Sequence, residues 1–226
     1  MRRDEEAADR LALADWRRRV MDLYGEVRAL AAADPASAWS SWRDGREALY
    51  RTHPQSPVPA AERGGFAGRY WPYDPALRFE VDVDVEVEVA VDGEKSSALF
   101  RPAVFAPILP MSSGDAIDFA RIGWVEVPFA AGLRRLALFW MAGYAGGLFL
   151  PFRDATNGIE TYGAGRYLLD TAKGADLGGD PAAGRLVLDF NFSFQPSCAF
   201  DPRWSCPLSP PENRLDIPIM AGERLA

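Results

Sequence analysis

The clearest pattern in this chain is a strict alternation between residues 81 and 91. Val81, Val83, Val85, Val87, Val89 and Val91 alternate with Asp82, Asp84, Glu86, Glu88 and Ala90. Successive side chains of a strand point to opposite faces, so a period of two predicts an antiparallel strand with valines in the core and acids in water. At about 3.3 Å per residue the run from Leu77 to Val91 would span about 50 Å, so a bend or break is expected in it. The acids stand about 7 Å apart along one face. That spacing suits a solvated row that discourages edge pairing better than a calcium ladder. Asp92-Gly93 supplies the turn that follows.

Upstream the period lengthens. Over residues 4–33, Leu13, Trp16, Val20, Leu23, Val27 and Leu30 recur at intervals of three and four, which predicts a helix about 45 Å long. A rod of that length either packs on the body or pairs with a second copy. Asp34-Pro35 restarts the chain as a second helix, a capping residue followed by proline at the first helical position. Trp39, Trp42, Arg46 and Leu49 lie along one side of it. The segment from His53 to Pro59 stops it, because its three prolines cannot continue a helix.

Downstream, strands are expected over residues 98–105, 116–129, 133–141, 148–152, 166–170, 185–194 and 217–219, separated by Gly, Pro, Asp and Asn clusters. With no internal repeat and no low-complexity linker, the chain reads as one α+β domain over residues 1–226. Residues 1–52 form a helical part. Residues 64–226 form a β-rich body of about eight antiparallel strands, a barrel or sandwich, closed by a proline-rich segment.

Composition narrows the class of partner. The chain has 226 residues, 48% hydrophobic and 25% charged, with a net charge of −7. Such a composition folds, and an acidic balance argues against binding a nucleic-acid backbone. Lysine occurs only at positions 95 and 173. No apolar run approaches the length of a membrane span, and residues 1–6 do not open a secretory signal, so a cytoplasmic protein is expected. Cys198 and Cys206 are too few for a disulfide framework or a four-cysteine zinc site, and are expected to be reduced.

Candidate chemistry sits in the second half. In the strand expected over 185–194, Leu186, Leu188, Phe190, Phe192 and Phe194 share one face; Val187, Asp189, Asn191 and Ser193 share the other, as short polar groups lining a pocket would. Between two strands, residues 152–167 gather Asp154, Thr156, Thr161, Tyr162 and Arg166. Gly163 and Gly165 there permit a sharp bend. This is neither a dinucleotide fingerprint nor a P-loop, and no cofactor is indicated. A buried Arg166 requires a carboxylate, and Asp154, Asp189 and Glu223 are the candidates.

Several runs together resemble one family. They are Asp154-Ala155-Thr156, Thr161-Tyr162-Gly163-Ala164-Gly165-Arg166-Tyr167-Leu168, Asp189-Phe190-Asn191, Pro196-Ser197-Cys198-Ala199-Phe200, Cys206-Pro207-Leu208, Pro210-Pro211-Glu212-Asn213-Arg214-Leu215 and Ile219-Met220-Ala221-Gly222-Glu223. They are similar to the motifs of domain of unknown function 1684 (DUF1684), and His53-Pro54-Gln55-Ser56-Pro57 resembles its shorter archaeal and actinobacterial members. Gln195, Phe200 and Ser209 depart from the family's usual asparagine, tyrosine and proline. The resemblance implies a fold and a motif map, not a reaction.

Two classes of function remain open at this stage. In the first, Asp154, Thr156, Thr161, Tyr162, Arg166, Asp189, Asn191, Asn213, Arg214 and Glu223 build a pocket for a small anionic molecule. Arg166 and Arg214 would hold the anion, and Asp154, Asp189 or Glu223 would serve as acid or base. A sharper version makes Cys198 a nucleophile with His53 as its base, or joins His53, Cys198 and Cys206 in a zinc site. In the second, the protein is a non-catalytic scaffold that dimerises through its first helix. The test is whether the motif residues form one spatial cluster, and whether that cluster is open or satisfied within itself.

Overall fold

A computed structural model describes residues 2–85, 108–141 and 146–225. The strand expected over 98–105, and the continuation of the alternation through Glu86, Val87, Glu88 and Val89, lie outside those residues.

Helix α1 spans Arg2–Ala31 and helix α2 spans Pro35–Thr52. Asp34 caps α2 by accepting from the Ser37 amide at 3.0 Å, with Pro35 in the first turn. The face that α1 buries is Tyr24, Val27 and Ala31, while Leu13 and Leu30 are exposed. Six stripe positions at an average spacing near 3.5 drift around a straight helix of 3.6 residues per turn, so the two ends of the stripe rotate out of the contact. The helices meet where Gly45 faces Leu23, since a Cβ at Gly45 would lie 2.5 Å from a Leu23 methyl.

The body is an antiparallel sheet. Among the described residues its strands are β2 (Arg78–Val85), β3 (Ile108–Pro110), β4 (Ala116–Phe129), β5 (Gly132–Met141), β6 (Leu148–Phe152), β7 (Arg166–Asp170), β8 (Gly179–Asp180) and β9 (Arg185–Asp189). The order is β7-β6-β5-β4-β2-β9-β8, with β3 beside β4, and the sheet curls into a half-barrel. A separate ribbon pairs β1 (Arg69–Tyr70) with β10 (Glu223–Arg224). Among the described residues no helix is long and apolar enough to cross a membrane.

The sheet carries a core on each face. Leu136, Leu138, Leu150 and Leu168 point into the half-barrel with Val125, Val127, Leu188 and Phe190. Their neighbours Ala137, Phe139, Phe149 and Tyr167 point outward, against Val27, Ala38 and Trp42 of the helices. Strands buried on both faces read as continuous apolar runs, which is why residues 133–152 are the most apolar stretch of the chain.

Three expectations are corrected. Val81 is buried and Val83 half-buried, with Asp82 and Asp84 exposed, but Val85 is 55% exposed. The partner strand β9 ends opposite Asp82, so beyond that point Val85 has no described neighbour on that edge to cover it. The strand expected over 185–194 stops at Asp189, whose carboxylate accepts from the Asn191 amide at 3.0 Å and turns the chain into a 3-10 turn over Phe190–Phe192. The two-face alternation therefore does not hold there. Residues 217–219 form no strand, and the short C-terminal strand is β10.

Candidate functional site

Arg166 opens β7 just after Gly165, whose φ of +106° suits glycine alone. The Arg166 side chain is fully buried. Its Nη2 donates to Asp154 Oδ2 at 2.5 Å and to the Ile219 carbonyl at 2.9 Å. Its Nη1 donates to the carbonyls of Ala221 and Glu223. Trp71 and Phe152 flank the guanidinium, 5.4 and 5.0 Å from their ring centres. Burial pulls the Arg166 pKa down, opposed by the Asp154 charge. Asp154 also accepts from the Thr156 amide at 2.7 Å and hydroxyl at 2.5 Å. Because the Thr156 hydroxyl donates to Asp154, the Thr161 hydroxyl donates to Thr156 Oγ1 at 2.8 Å. Asn157 Nδ2 closes the loop through Thr161 Oγ1 and the Tyr162 carbonyl.

Glu223 meets this network through its backbone and faces elsewhere with its side chain. Its Oε2 accepts from Arg46 Nη2 and from the Gln195 amide, both at 2.8 Å. Arg46 lies among aromatic rings, 4.4 Å from Tyr50, 5.0 Å from Phe194 and 5.7 Å from Trp42. Arg46 stands on the apolar side of α2, beside Trp42, and that placement was the available signal that it is not an ordinary surface arginine. Glu223 is 1% exposed, yet its Oε1 has no hydrogen-bond partner among the described residues, and neither does the Tyr70 hydroxyl. Burial, reinforced by the Glu223 charge, pushes the Tyr70 pKa up, so that hydroxyl stays a donor.

The remaining motif residues fall into separate groups. Asp189 and Asn191 bind one another, the Tyr73 hydroxyl and the backbone of Asp74; burial raises the Asp189 pKa. Asn213 bridges two strands, accepting from the Ala137 amide at 2.7 Å and donating to the carbonyls of Ala137 at 2.9 Å and Pro151 at 2.7 Å. The register Phe139↔Phe149, Trp140↔Leu148, extended by two residues, sets Ala137 opposite Pro151. Proline has no N–H to give, and the Asn213 amide stands in for the missing strand bond. Arg214 is exposed.

His53 and Cys198 do not form a dyad. His53 is buried; its Nδ1 accepts from the Gln55 amide at 3.0 Å, so its Nε2 donates to Asp15 at 3.2 Å. The Cys198 amide instead donates to Cys206 Sγ at 3.3 Å. The zinc set is not assembled either: among the described residues, no group of three His, Cys, Asp or Glu side chains is placed to hold a metal ion. Burial and the Cys198 thiol push the Tyr162 pKa up to about 12.

One cleft reaches this region from outside. About 210 Å³ in volume, it is lined by the apolar Val58, Pro59, Phe66, Ala199 and Phe200 and by the polar Gln195, Glu223, Arg224 and Arg69, with Glu62 also in its wall. Arg69 and Arg224 are register partners across the β1–β10 ribbon, which places them side by side on one face. Arg224 reaches Glu160 at 3.3 Å, while the exposed Arg69 guanidinium has no partner among the described residues.

With this geometry in hand, the family follows. The description "Protein of unknown function (DUF1684)" matches residues 66–224, and the chain belongs to that family. It is also similar to the solution NMR structure of an uncharacterised protein of Haloarcula marismortui, with 28% identity and a TM-score of 0.56, over 84% of this chain and 93% of that one. No curated protein matches. The helices α1 and α2, which supply Arg46, precede the residues matched by the family.

Proposed function

We propose that this protein binds a small molecule with one anionic group and an apolar body, seated in the cleft between the β1–β10 ribbon and the turn at Phe200. The observation that carries the reading is the pair Arg69–Arg224 on the cleft wall, with the Arg69 charge uncommitted. Guanidinium groups hold carboxylate or phosphate oxygens through paired, charge-assisted hydrogen bonds. The valine, proline and phenylalanine side chains of the same lining offer an apolar body its place. The volume is below the roughly 300–1,000 Å³ of drug-sized sites, which sets the size of the ligand. Glu62 in the wall repels a second negative charge.

The Asp154–Arg166 network takes the role of support in this reading. Its charges and hydrogen bonds are directed at one another and at the 219–223 backbone, and so hold the ribbon at the cleft wall.

The test is calorimetric titration with aromatic and medium-chain carboxylates, each paired with its neutral amide. The carboxylates should bind and the amides should not, and Arg69→Ala should abolish the difference while the unfolding temperature of the free protein stays unchanged. Equal behaviour of acid and amide, or carboxylate binding unaffected by Arg69→Ala, would refute the proposal.

A further inference from the structure

A second group of side chains converges outside this cleft. Cys198 lies in a 3-10 turn over Ser197–Ala199, and Cys206 eight residues on, in the same proline-rich segment. The Cys198 amide donates to Cys206 Sγ at 3.3 Å, which sets the Cys206 sulfur against the Cys198 backbone. Both are free cysteines, 9% and 6% exposed. The Ser112 and Tyr162 hydroxyls lie near enough to the Cys198 thiol to act on its charge. The segment is held firmly around the pair: Ser112 exchanges bonds with the Cys206 backbone at 2.9 and 3.0 Å, and Tyr167 donates to the Pro207 carbonyl at 2.5 Å.

We propose that Cys198 and Cys206 form a redox-active dithiol that a small hydroperoxide converts reversibly to a disulfide. Sulfur attacks as thiolate, and here the groups that stabilise one are in place. The Cys206 thiol first, then the hydroxyls of Ser112 and Tyr162, draw the Cys198 pKa down to about 6 against the cost of burial. The proton that remains is held by Cys206, whose own pKa is pushed up by its hydrogen bond to Cys198. Lys173 adds a positive charge in reach of Cys206.

The chemistry balances in two steps. The Cys198 thiolate attacks one peroxide oxygen; an S–O bond forms, the O–O bond breaks, and the departing hydroxide or alkoxide takes a proton to leave as water or alcohol. Cys198 is then a sulfenic acid. Cys206 attacks that sulfur; the S–S bond forms, the S–O bond breaks, and hydroxide leaves with the Cys206 proton as water. The pair has lost two electrons and the peroxide has gained them. A dithiol reductant reverses the change by two successive thiol–disulfide exchanges. Proximity matters here, because a sulfenic acid with a resolving thiol beside it is consumed before further oxidation to sulfinic acid.

The experiment uses the full-length reduced protein and hydrogen peroxide. Samples are quenched with an alkylating agent under denaturing conditions and mapped by peptide mass. The expected result is loss of both alkylatable thiols, a cross-linked Cys198–Cys206 peptide, and full return of the thiols with dithiothreitol. A Cys206→Ser variant should stop at a sulfenic acid on Cys198 that dimedone traps. As a check that does not depend on that variant folding, disulfide formation in the native protein should outpace peroxide oxidation of free cysteine at neutral pH. Two unreacted thiols alongside methionine sulfoxide, sulfinic acid without a cross-link, or a rate no faster than free cysteine would each overturn the proposal.

Discussion

At the scale of single residues, the interior of this protein is governed by polar groups that must find partners. Arg166 is the extreme case. Its guanidinium is anchored by one carboxylate and three carbonyls, with no contact to solvent. Arg166→Ala would leave Asp154 as an unpaired buried charge, and should lower stability by about 3–5 kcal/mol. Replacing both partners together, as Asp154→Leu with Arg166→Met, should cost less than the sum of the single changes, as read by urea unfolding of all four proteins; strict additivity would show that the ion pair is not the unit. Gly222 is a second fixed point. Its φ is +75°, and a Cβ there would lie 2.5 Å from the Ser193 carbonyl oxygen, so Gly222→Ala should destabilise by more than the roughly 1–2 kcal/mol of a strained backbone alone. The partnership of Arg166 with a carboxylate was legible in the sequence, because an arginine in a buried strand admits no other solution. The Glu223–Arg46 pair was not. The sequence set Arg46 beside Trp42 on one side of the helix, but nothing in it pointed to a carboxylate 177 residues on as the partner.

At the scale of elements, the helices and long strands follow their periodicities closely, and the departures have local causes. The starts of α2, β4 and β7 were readable because each is set by a cap, a glycine or a change of period. The end of β9 was not, because Asp189 and Asn191 continue the alternation on paper while their side chains bend the backbone into a turn. The packing of α1 also carries a pH dependence. Hydrogen bonding to His53, then to Arg19, holds the Asp15 carboxyl below the usual carboxylate range, and the Ser37 hydroxyl and amide do the same for Asp34 at the α2 cap. A pKa lowered by folding means that the ionised form is the stabilising one. The contribution is present above the unfolded value of about 3.9 and is lost as pH falls through the lower folded values. Thermal unfolding followed by circular dichroism should therefore show a falling midpoint as pH drops below about 4, and Asp15→Asn should flatten part of that slope. An unchanged slope would remove Asp15 from the account.

At the scale of the whole molecule, what the alternation of apolar residues conceals is that this one sheet serves two cores, one inside the half-barrel and one beneath the helices. Two-sided burial was hidden because a run such as Leu136-Ala137-Leu138-Phe139 looks the same whether it lies in a strand or a buried helix. The seating of the C-terminal segment was hidden for a different reason: residues without periodicity leave no trace of where they land. That segment nonetheless supplies Asn213 to the gap at Pro151, backbone carbonyls to Arg166, and a carboxylate to Arg46. The order of biosynthesis gives this arrangement a meaning. A ribosome delivers the strands first and the tail last, so during translation the β5–β6 seam waits with unmatched amide and carbonyl groups, separated from Asn213 by 76 residues on the Ala137 side. Until residues 210–225 emerge the nascent chain is a set of partly paired strands with open edges, the condition in which chains aggregate. A stop codon at Pro210 should accordingly yield a chain that protease cuts within the β5–β6 region and that chaperones retain, whereas one placed after Leu225 should not. Emergence of the segment that carries Asn213 and Glu223, rather than collapse of apolar residues, is then the event that commits this protein to its native state.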